Sequence, residues 1–422
     1  MTIIDNNIKS PLLRLSMIFL TFNIFFGYIA LIQSDITFLF IGFIFLLIWN
    51  LSASRTFFKL STNNFLWFIC AITFCVSSFY AVDIFKSLKF SAIFSLVIIM
   101  KTLLENSIQW IKYYKKYLLL FSGVHVAATI LYLLFPDLIR NLCERILTSS
   151  NLAVNNSLIA QNSNPGITGQ TATNAMFITY CVAILFCMFI VSGSTLNKSK
   201  ILNLIYLSVS VLALFLTQKR GLLIANIVAV AMLLFLFMNA KSVKFKKYGI
   251  RILIVVLIGS IILLQSPIAH GVIDKFYVTL QQGDLLTGRT YIINEATRYF
   301  SMNPVFGVGV WSIDSYIGSG VHNIYIQLLA ENGIVGFTVF IFAFGHTLIS
   351  TLRFLRSELN NKRLSIEKLS VLILSLYFQI IFLITGITDN TLYDFRSLVP
   401  YIISSALVFS IKNNNVSQAT NN

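Results

Sequence analysis

The sequence predicts an all-α polytopic membrane protein with about twelve transmembrane helices, both termini cytoplasmic, and one large outer loop carrying short helices. Three observations carry that prediction. Hydrophobic residues make up 57% of the 422 and charged residues only 11%, with a mean hydropathy of +0.82; soluble domains hold about half apolar and a quarter charged residues. The apolar residues come in runs of about 17 to 25, long enough to cross about 30 Å of hydrocarbon as helix and unlike the ten-residue alternation of barrel strands. Lysine and arginine, finally, collect in alternate connections between the runs, as membrane topology requires.

Taken in order, Lys9 and Arg14 precede the first run, and no small-residue cleavage site follows it, so the run reads as a retained span. Spans are expected at 15–33, 36–53, 64–82, 87–104, 117–135, 173–192, 201–217, 221–238, 252–267, 327–351, 369–388 and 397–411. With the N-terminus inside, the clusters Lys112, Lys115, Lys116, then Lys244, Lys246, Lys247, then Arg353, Arg356, Lys362, Arg363 all fall on the inner side. That orientation puts the connections 136–172 and 268–326 outside. The first, rich in Ser, Asn, Thr and Gly, has too little apolar content for a core of its own and is expected as a solvated or partly docked loop. In the second, YIINEATRYF has helical apolar spacing and NPVFGVG ends it, so one or two short helices along the outer face are expected. The whole chain 1–422 reads as a single membrane domain, with 412–422 as a disordered cytoplasmic tail.

Several function classes lose support on composition. The net charge of +16 is compatible with nucleic acid, but the basic residues lie between apolar runs and write topology instead, so no nucleic-acid partner is expected. The five cysteines, Cys70, Cys75, Cys143, Cys181 and Cys187, show no CxxC spacing, which implies neither a disulfide framework nor a zinc site. There is no GxxxxGK[ST] and no GxGxxG after a strand, so nucleotide-driven chemistry has no support, and no cofactor or metal is expected.

The candidate residues sit on the predicted outer side. Lys219 and Arg220, in LFLTQKRGLLIA, join two apolar runs through almost no loop. Lipid exposure would cost several kcal/mol, so both should face an enclosed cavity at the outer edge; the alternative is a basic pair that anchors a hairpin by snorkelling. Arg289, in TGRTYIINEA, lies at a helix start, where a guanidinium beside open backbone amides receives phosphate; the alternative is a salt bridge to Glu295 or Asp284. Arg298 reads as structural. His322, in GSGVHNIYIQ, carries an imidazole, a group that can take a proton from an attacking hydroxyl, or it is simply a satisfied interfacial histidine. His125 and His346 lie inside apolar runs, and His270 lacks charged neighbours. Asp389 and Asp394, in ITDNTLYDFRS, can orient a histidine or bind a hydroxyl, and pairing with Arg396 is equally compatible. Outside the membrane there is no nucleotide pool, so an activated donor must be carried by lipid, and arginines can hold its diphosphate without a metal.

The segment His322-Asn323, nine residues, Gly333, two residues, Gly336 resembles the H-N-x9-G-x-x-G signature of the O-antigen ligase and O-antigen polymerase family. TQKRG with Arg220, the GR of Arg289 and NPVFGVG ahead of the histidine resemble its other marks, in the same order. Phe337 departs from the Gly, Thr or Tyr common there in ligases, which keeps the polymerase alternative open. The resemblance implies a metal-independent, inverting membrane glycosyltransferase of the C type in the bacterial inner membrane, with its site on the periplasmic side, working in lipopolysaccharide biosynthesis. It implies an undecaprenyl-diphosphate-linked O-antigen donor and a lipid A-core oligosaccharide acceptor, with membrane lipids around both. Arg220, Arg289 and Lys219 would grip the diphosphate, His322 would activate or orient the acceptor hydroxyl, and Asn323 and Asp389 would be secondary candidates. The ligase is the favoured reading, the polymerase joining lipid-linked repeat units the alternative, and a polysaccharide or lipid transporter the reading from another class.

Overall fold

A computed structural model describes residues 4–30, 36–52, 61–161, 163–191, 198–241, 246–247, 249–250, 254, 289–361 and 365–420. Among the described residues the chain is all helix, without strands. In order the helices are α1 (Ile4–Phe26), α2 (Thr37–Ser52), α3 (Thr62–Ser78), α4 (Ile84–Leu104), α5 (Trp110–Leu134), α6 (Pro136–Ile146) and α7 (Ser149–Ala160). They continue as α8 (Thr171–Val191), α9 (Lys198–Leu216), α10 (Arg220–Met238), α11 (Thr290–Met302) and α12 (Ser312–Ile317), then α13 (Ile324–Asn361), α14 (Ile366–Thr385) and α15 (Phe395–Thr420). Eight of them, α4, α5, α8, α9, α10, α13, α14 and α15, are long and apolar enough to cross a membrane, and three shorter apolar helices span Pro11–Phe26, Thr37–Ser52 and Thr62–Ser78. The chain is a polytopic membrane protein. Apart from residue 254, the expected span 252–267 lies outside the described residues, as do His270, Asp284 and the 268–288 part of the large loop.

Three local features differ from the sequence reading. The 136–172 connection holds two helices: Pro136 opens α6 at a position where a backbone N–H would have no partner within the helix, so its lack of one costs nothing, and Thr148 caps α7 by accepting from Asn151 N. The span expected at 327–351 is interrupted at Gly333, where φ is 61° and ψ −169°. And α15 stays helical to Thr420, past residue 412, where the tail was expected to begin.

The chain divides into two compact units. Unit 1 holds Met1–Arg55, Ser107–Asp274 and Phe354–Ile381. Its centre is α8, most of whose residues are buried, with α5, α9 and α10 packed on it and α1 on α5. His125 of α5 is fully buried there among Phe25, Phe26 and Phe177, its ring 4.5 Å from that of Phe177. Inside a bilayer apolar contact gives helices little reason to associate, so polar links fix their register. Asn226 of α10 donates to Thr179 Oγ1 of α8 (3.1 Å) and accepts from the Tyr377 hydroxyl of α14 (2.7 Å).

Unit 2 holds Thr56–Asn106, Lys275–Arg353 and Phe382–Asn422. Its core is aromatic: Phe74 of α3 lies 4.5 Å from Phe340 of α13, and Phe382 of α14 stacks on Tyr401 of α15 at 4.1 Å. One end of the unit gathers Asn64, Lys101, Glu105 and Asn413 through hydrogen bonds. The opposite end gathers the α3–α4 turn, α11, α12, the start of α13 and the α14–α15 connection. The candidate residues of this unit all lie at that second end.

Candidate active site

The site in unit 2 rests on a broken helix. Breaking α13 at Gly333 leaves carbonyls without donors before the break and amides without acceptors after it, which is costly in a buried place. The segment 303–309 fills both needs. Val308 N and Gly309 N donate to the Ala330 and Glu331 carbonyls (3.0 and 2.9 Å), and Ile334 N and Val335 N donate to the Pro304 and Val305 carbonyls (2.8 and 3.3 Å). So close an approach excludes side chains: a Cβ at Gly333 would meet Val305 O at 2.2 Å, and one at Gly307 the Glu331 carbonyl carbon at 2.3 Å. NPVFGVG and the G-x-x-G of α13 are thus two halves of one scaffold.

That scaffold is locked by Glu331, whose carboxylate is fully buried. It accepts from the Tyr393 hydroxyl (2.6 Å), Gln327 Nε2 (3.1 Å) and Ile313 N (3.4 Å), so one side chain ties α13 to α12 and to the α14–α15 connection. A small apolar core of Ala296, Ile313, Val321 and Ala330 holds α11 and α12 against the same stretch. Sequence reasoning passed over Glu331 and Tyr393; the signal was a carboxylate in a run otherwise apolar enough to span, which demands a buried partner.

On this base stands His322. Its backbone is left-handed, at φ 55°, directly before the first turn of α13. Asn323 caps that turn: its Oδ1 accepts from Tyr325 N (3.0 Å) and Ile326 N (3.2 Å), and Ile324 N donates to Gly386 O (2.9 Å). A non-glycine residue held at positive φ costs of order 1–3 kcal/mol and persists only where its surroundings demand it. The result directs the imidazole at the α14–α15 connection, with Nδ1 3.6 Å from Asp389 Oδ1 and both side chains about one third exposed (38% and 31%). That separation is longer than a hydrogen bond, and the contact becomes an ion pair when the imidazole carries a proton.

Arg289 reaches the same connection. It is the N-cap residue of α11, without a side-chain cap bond, and its Nη1 donates to Thr388 O at 2.7 Å, one residue from Asp389. The alternative pairing with Glu295 is taken by Arg298, whose Nη2 and Nε lie 2.7 and 3.1 Å from Glu295 Oε2. Asp394 is likewise engaged, by Arg396 Nε at 2.9 Å and by the Ser397 hydroxyl at 3.2 Å. Of the two acidic candidates, then, Asp389 is the one beside the histidine. Among the described residues no group of three or more His, Cys, Asp or Glu side chains is placed to hold a metal ion.

Lys219 and Arg220 belong to unit 1. Lys219 is the N-cap of α10 and Arg220 its first residue, again without a side-chain cap bond, so the positive end of a 19-residue helix coincides with two cationic side chains. Gln218 ahead of them is left-handed, at φ 55°. The 136–172 connection docks on this corner, with Asn164 N donating to Leu216 O (3.3 Å) and Asn164 Nδ2 to Thr129 O (3.0 Å).

Fold and site together define a membrane protein in which His322, Asp389 and Arg289 meet at one end of a helical unit, around a partly exposed imidazole. Comparison supplies the family likeness: residues 204–341, from α9 through the first part of α13, match the family model described as O-antigen ligase, which is consistent with the O-antigen ligase and polymerase family. The matched stretch contains Lys219, Arg220, Arg289, His322 and Asn323, and ends before Asp389. Members of the family are membrane enzymes of O-antigen processing. No curated protein matches the chain.

Proposed function

We propose that this protein is an O-antigen ligase, a C-type membrane glycosyltransferase that moves polysaccharide from undecaprenyl diphosphate to the lipid A-core acceptor at the periplasmic face of the inner membrane. The observation that carries the reading is the His322–Asp389 contact with Arg289 anchored one residue away. An attacking acceptor hydroxyl needs somewhere to leave its proton, and a departing diphosphate needs compensating charge. His322 supplies the first: with Nδ1 turned to the Asp389 carboxylate, Nε2 is the nitrogen that takes the hydroxyl proton, and the carboxylate steadies the imidazolium that forms. The acceptor oxygen bonds to the anomeric carbon as the bond from that carbon to the diphosphate oxygen breaks, which inverts the centre. Arg289 supplies the second need, its guanidinium pairing with the phosphate oxygens as their charge develops. Lys219 and Arg220, at the start of α10, take the same role toward the diphosphate through the family resemblance. This chemistry assigns no step to a metal or a cofactor.

The test is substitution in cells that display O-chains. His322→Ala and Arg289→Ala are each expected to cut O-chain attachment at least about 100-fold, the scale of a lost acid–base or charge-stabilising group, while the protein still accumulates in the membrane. Normal lipopolysaccharide from both variants would overturn the assignment. Deleting the protein separates the two family activities. A ligase deletion accumulates long lipid-linked polymer with bare core; loss of the long polymer as well would make the protein the polymerase.

A further inference from the structure

The end of unit 2 that carries His322 also carries an aromatic stack that the proposed chemistry does not use. Tyr299 of α11 and Tyr316 of α12 lie face to face, their centroids 4.5 Å apart and their planes within 11°. The Arg298 guanidinium lies 5.2 Å from the Tyr299 centroid and is itself held by Glu295. Tyr299 is anchored from below, because it packs on the Ala296, Ile313, Val321 and Ala330 core. The ring of Tyr316 is therefore held in place by its neighbours although the residue is 48% exposed. A large aromatic side chain kept both exposed and ordered, against the tendency to bury it, marks a binding surface.

The surroundings decide what binds. Tyr291, on the same helix, is 68% exposed. The same two helices carry polar groups: Asn294, Thr297, Arg298, Ser301 and Ser315 are exposed, and the carboxylates of Glu295 and Asp314 are partly so. Asp314 is fixed by Lys86 Nζ at 2.7 Å, and Lys86 also lies 4.4 Å over the Trp311 ring. Acyl chains would strand these ionised groups in hydrocarbon, so this face does not enter the bilayer core. A surface of flat rings beside a fixed carboxylate, Glu295, suits a ligand with apolar C–H faces and hydroxyl edges, which is the chemistry of a pyranose ring. The ring faces stack on its C–H bonds while the carboxylate accepts its hydroxyl protons.

We propose that Tyr316, backed by Tyr299 with its Arg298–Glu295 pair, is a glycan-binding subsite that holds the polysaccharide part of the donor outside the reacting sugar. This rests on the reading of the protein as a polysaccharide transferase. Tyr316 is six positions from His322, so the two backbones are at most about 22 Å apart, within reach of a short run of sugar rings. The subsite gives a transferase a hold on its donor that does not depend on the lipid or the diphosphate.

The experiment uses the full-length protein in nanodiscs, titrated with the lipid-free polysaccharide released by mild acid from the donor of the same cells and followed by saturation-transfer NMR. The wild type binds it, Tyr316→Trp retains binding, and Tyr316→Ala and Tyr316→Leu weaken it about tenfold, the upper range for a lost aromatic contact. Tyr316→Leu keeps apolar bulk, so a folded protein without the aromatic face remains measurable. His322→Ala, inactive in transfer, still binds the polysaccharide. Equal binding by wild type and both Tyr316 variants overturns the subsite, as does the absence of binding by the wild type. Binding without transfer upholds the subsite and sinks the transferase reading, whereas transfer by the wild type without polysaccharide binding does the reverse.

Discussion

His322 and Gly333 illustrate how far single residues bear on the site. The imidazole owes its direction to a left-handed backbone angle and to the cap that Asn323 places on the next turn. Gly333 sits at φ 61° and ψ −169°, a region open essentially to glycine alone, and Val305 O occupies the place a Cβ would need. Gly333→Ala is therefore expected to destabilise the protein by about 3 kcal/mol or more, the upper range for such backbone strain, with the backbone overlap on top. A lowered melting temperature for the detergent-solubilised variant on size-exclusion chromatography checks it; a melting curve equal to wild type would mean the break is not needed. The glycines of the motif were visible in the sequence. That they mark a helix break and not a tight packing surface was not, because the acceptors and donors the break exposes are met from some thirty residues away, at Pro304 to Gly309.

At the scale of elements, α4 carries a buried charge pair far from the site. Lys101 Nζ lies 2.6 Å from Glu105 Oε1, both residues are within 2% of complete burial, and Asn64 of α3 donates to Glu105 Oε2 at 2.9 Å while accepting from Lys101. Breaking such a pair strands a charge and costs about 3–5 kcal/mol, whereas replacing both partners by apolar residues is often close to neutral. Lys101→Met is expected to lower stability by that amount, and the double variant Lys101→Met, Glu105→Leu to recover most of it; thermal melting of the three proteins measures the difference. A single variant as stable as wild type would show that the pair contributes nothing. The elements themselves were largely legible, since long apolar runs become helices wherever lipid leaves backbone groups no other partner. The helices α6 and α7 were not, because both are stabilised by docking: Ile139 and Cys143 of α6 are buried, and Asn155 Nδ2 of the Ser- and Asn-rich α7 donates to the Gly166 carbonyl at 3.4 Å.

For the molecule as a whole, the decisive property is sidedness. Within unit 2 the structure separates two ends, one with His322, Asp389 and Arg289, the other with Lys101, Glu105 and Asn413. The charge pattern predicts that the first faces the periplasm and the second the cytoplasm. In a variant lacking the five native cysteines, Asn294→Cys is expected to react with a membrane-impermeant maleimide in spheroplasts, and Lys412→Cys only after permeabilisation. The reverse pattern would place His322 on the cytoplasmic side and end the lipid-linked donor argument.

By itself, the sequence determined the class of the protein, a helical membrane chain, together with the order of its apolar helices and the short list of ionisable residues worth testing. These follow from composition and spacing, because burying apolar side chains in lipid and satisfying every backbone group are local demands that each stretch meets alone. Only the tertiary structure decided which of those residues meet. It placed Asp389 beside His322 and Arg289 on Thr388, gave Glu295 to Arg298 and Asp394 to Arg396, and brought in Glu331 and Tyr393 as the lock beneath them. The physical reason is that an ionic or hydrogen-bonded contact extends only a few ångströms, so partners separated by tens of residues are chosen by how the helices pack and by nothing in their own neighbourhoods.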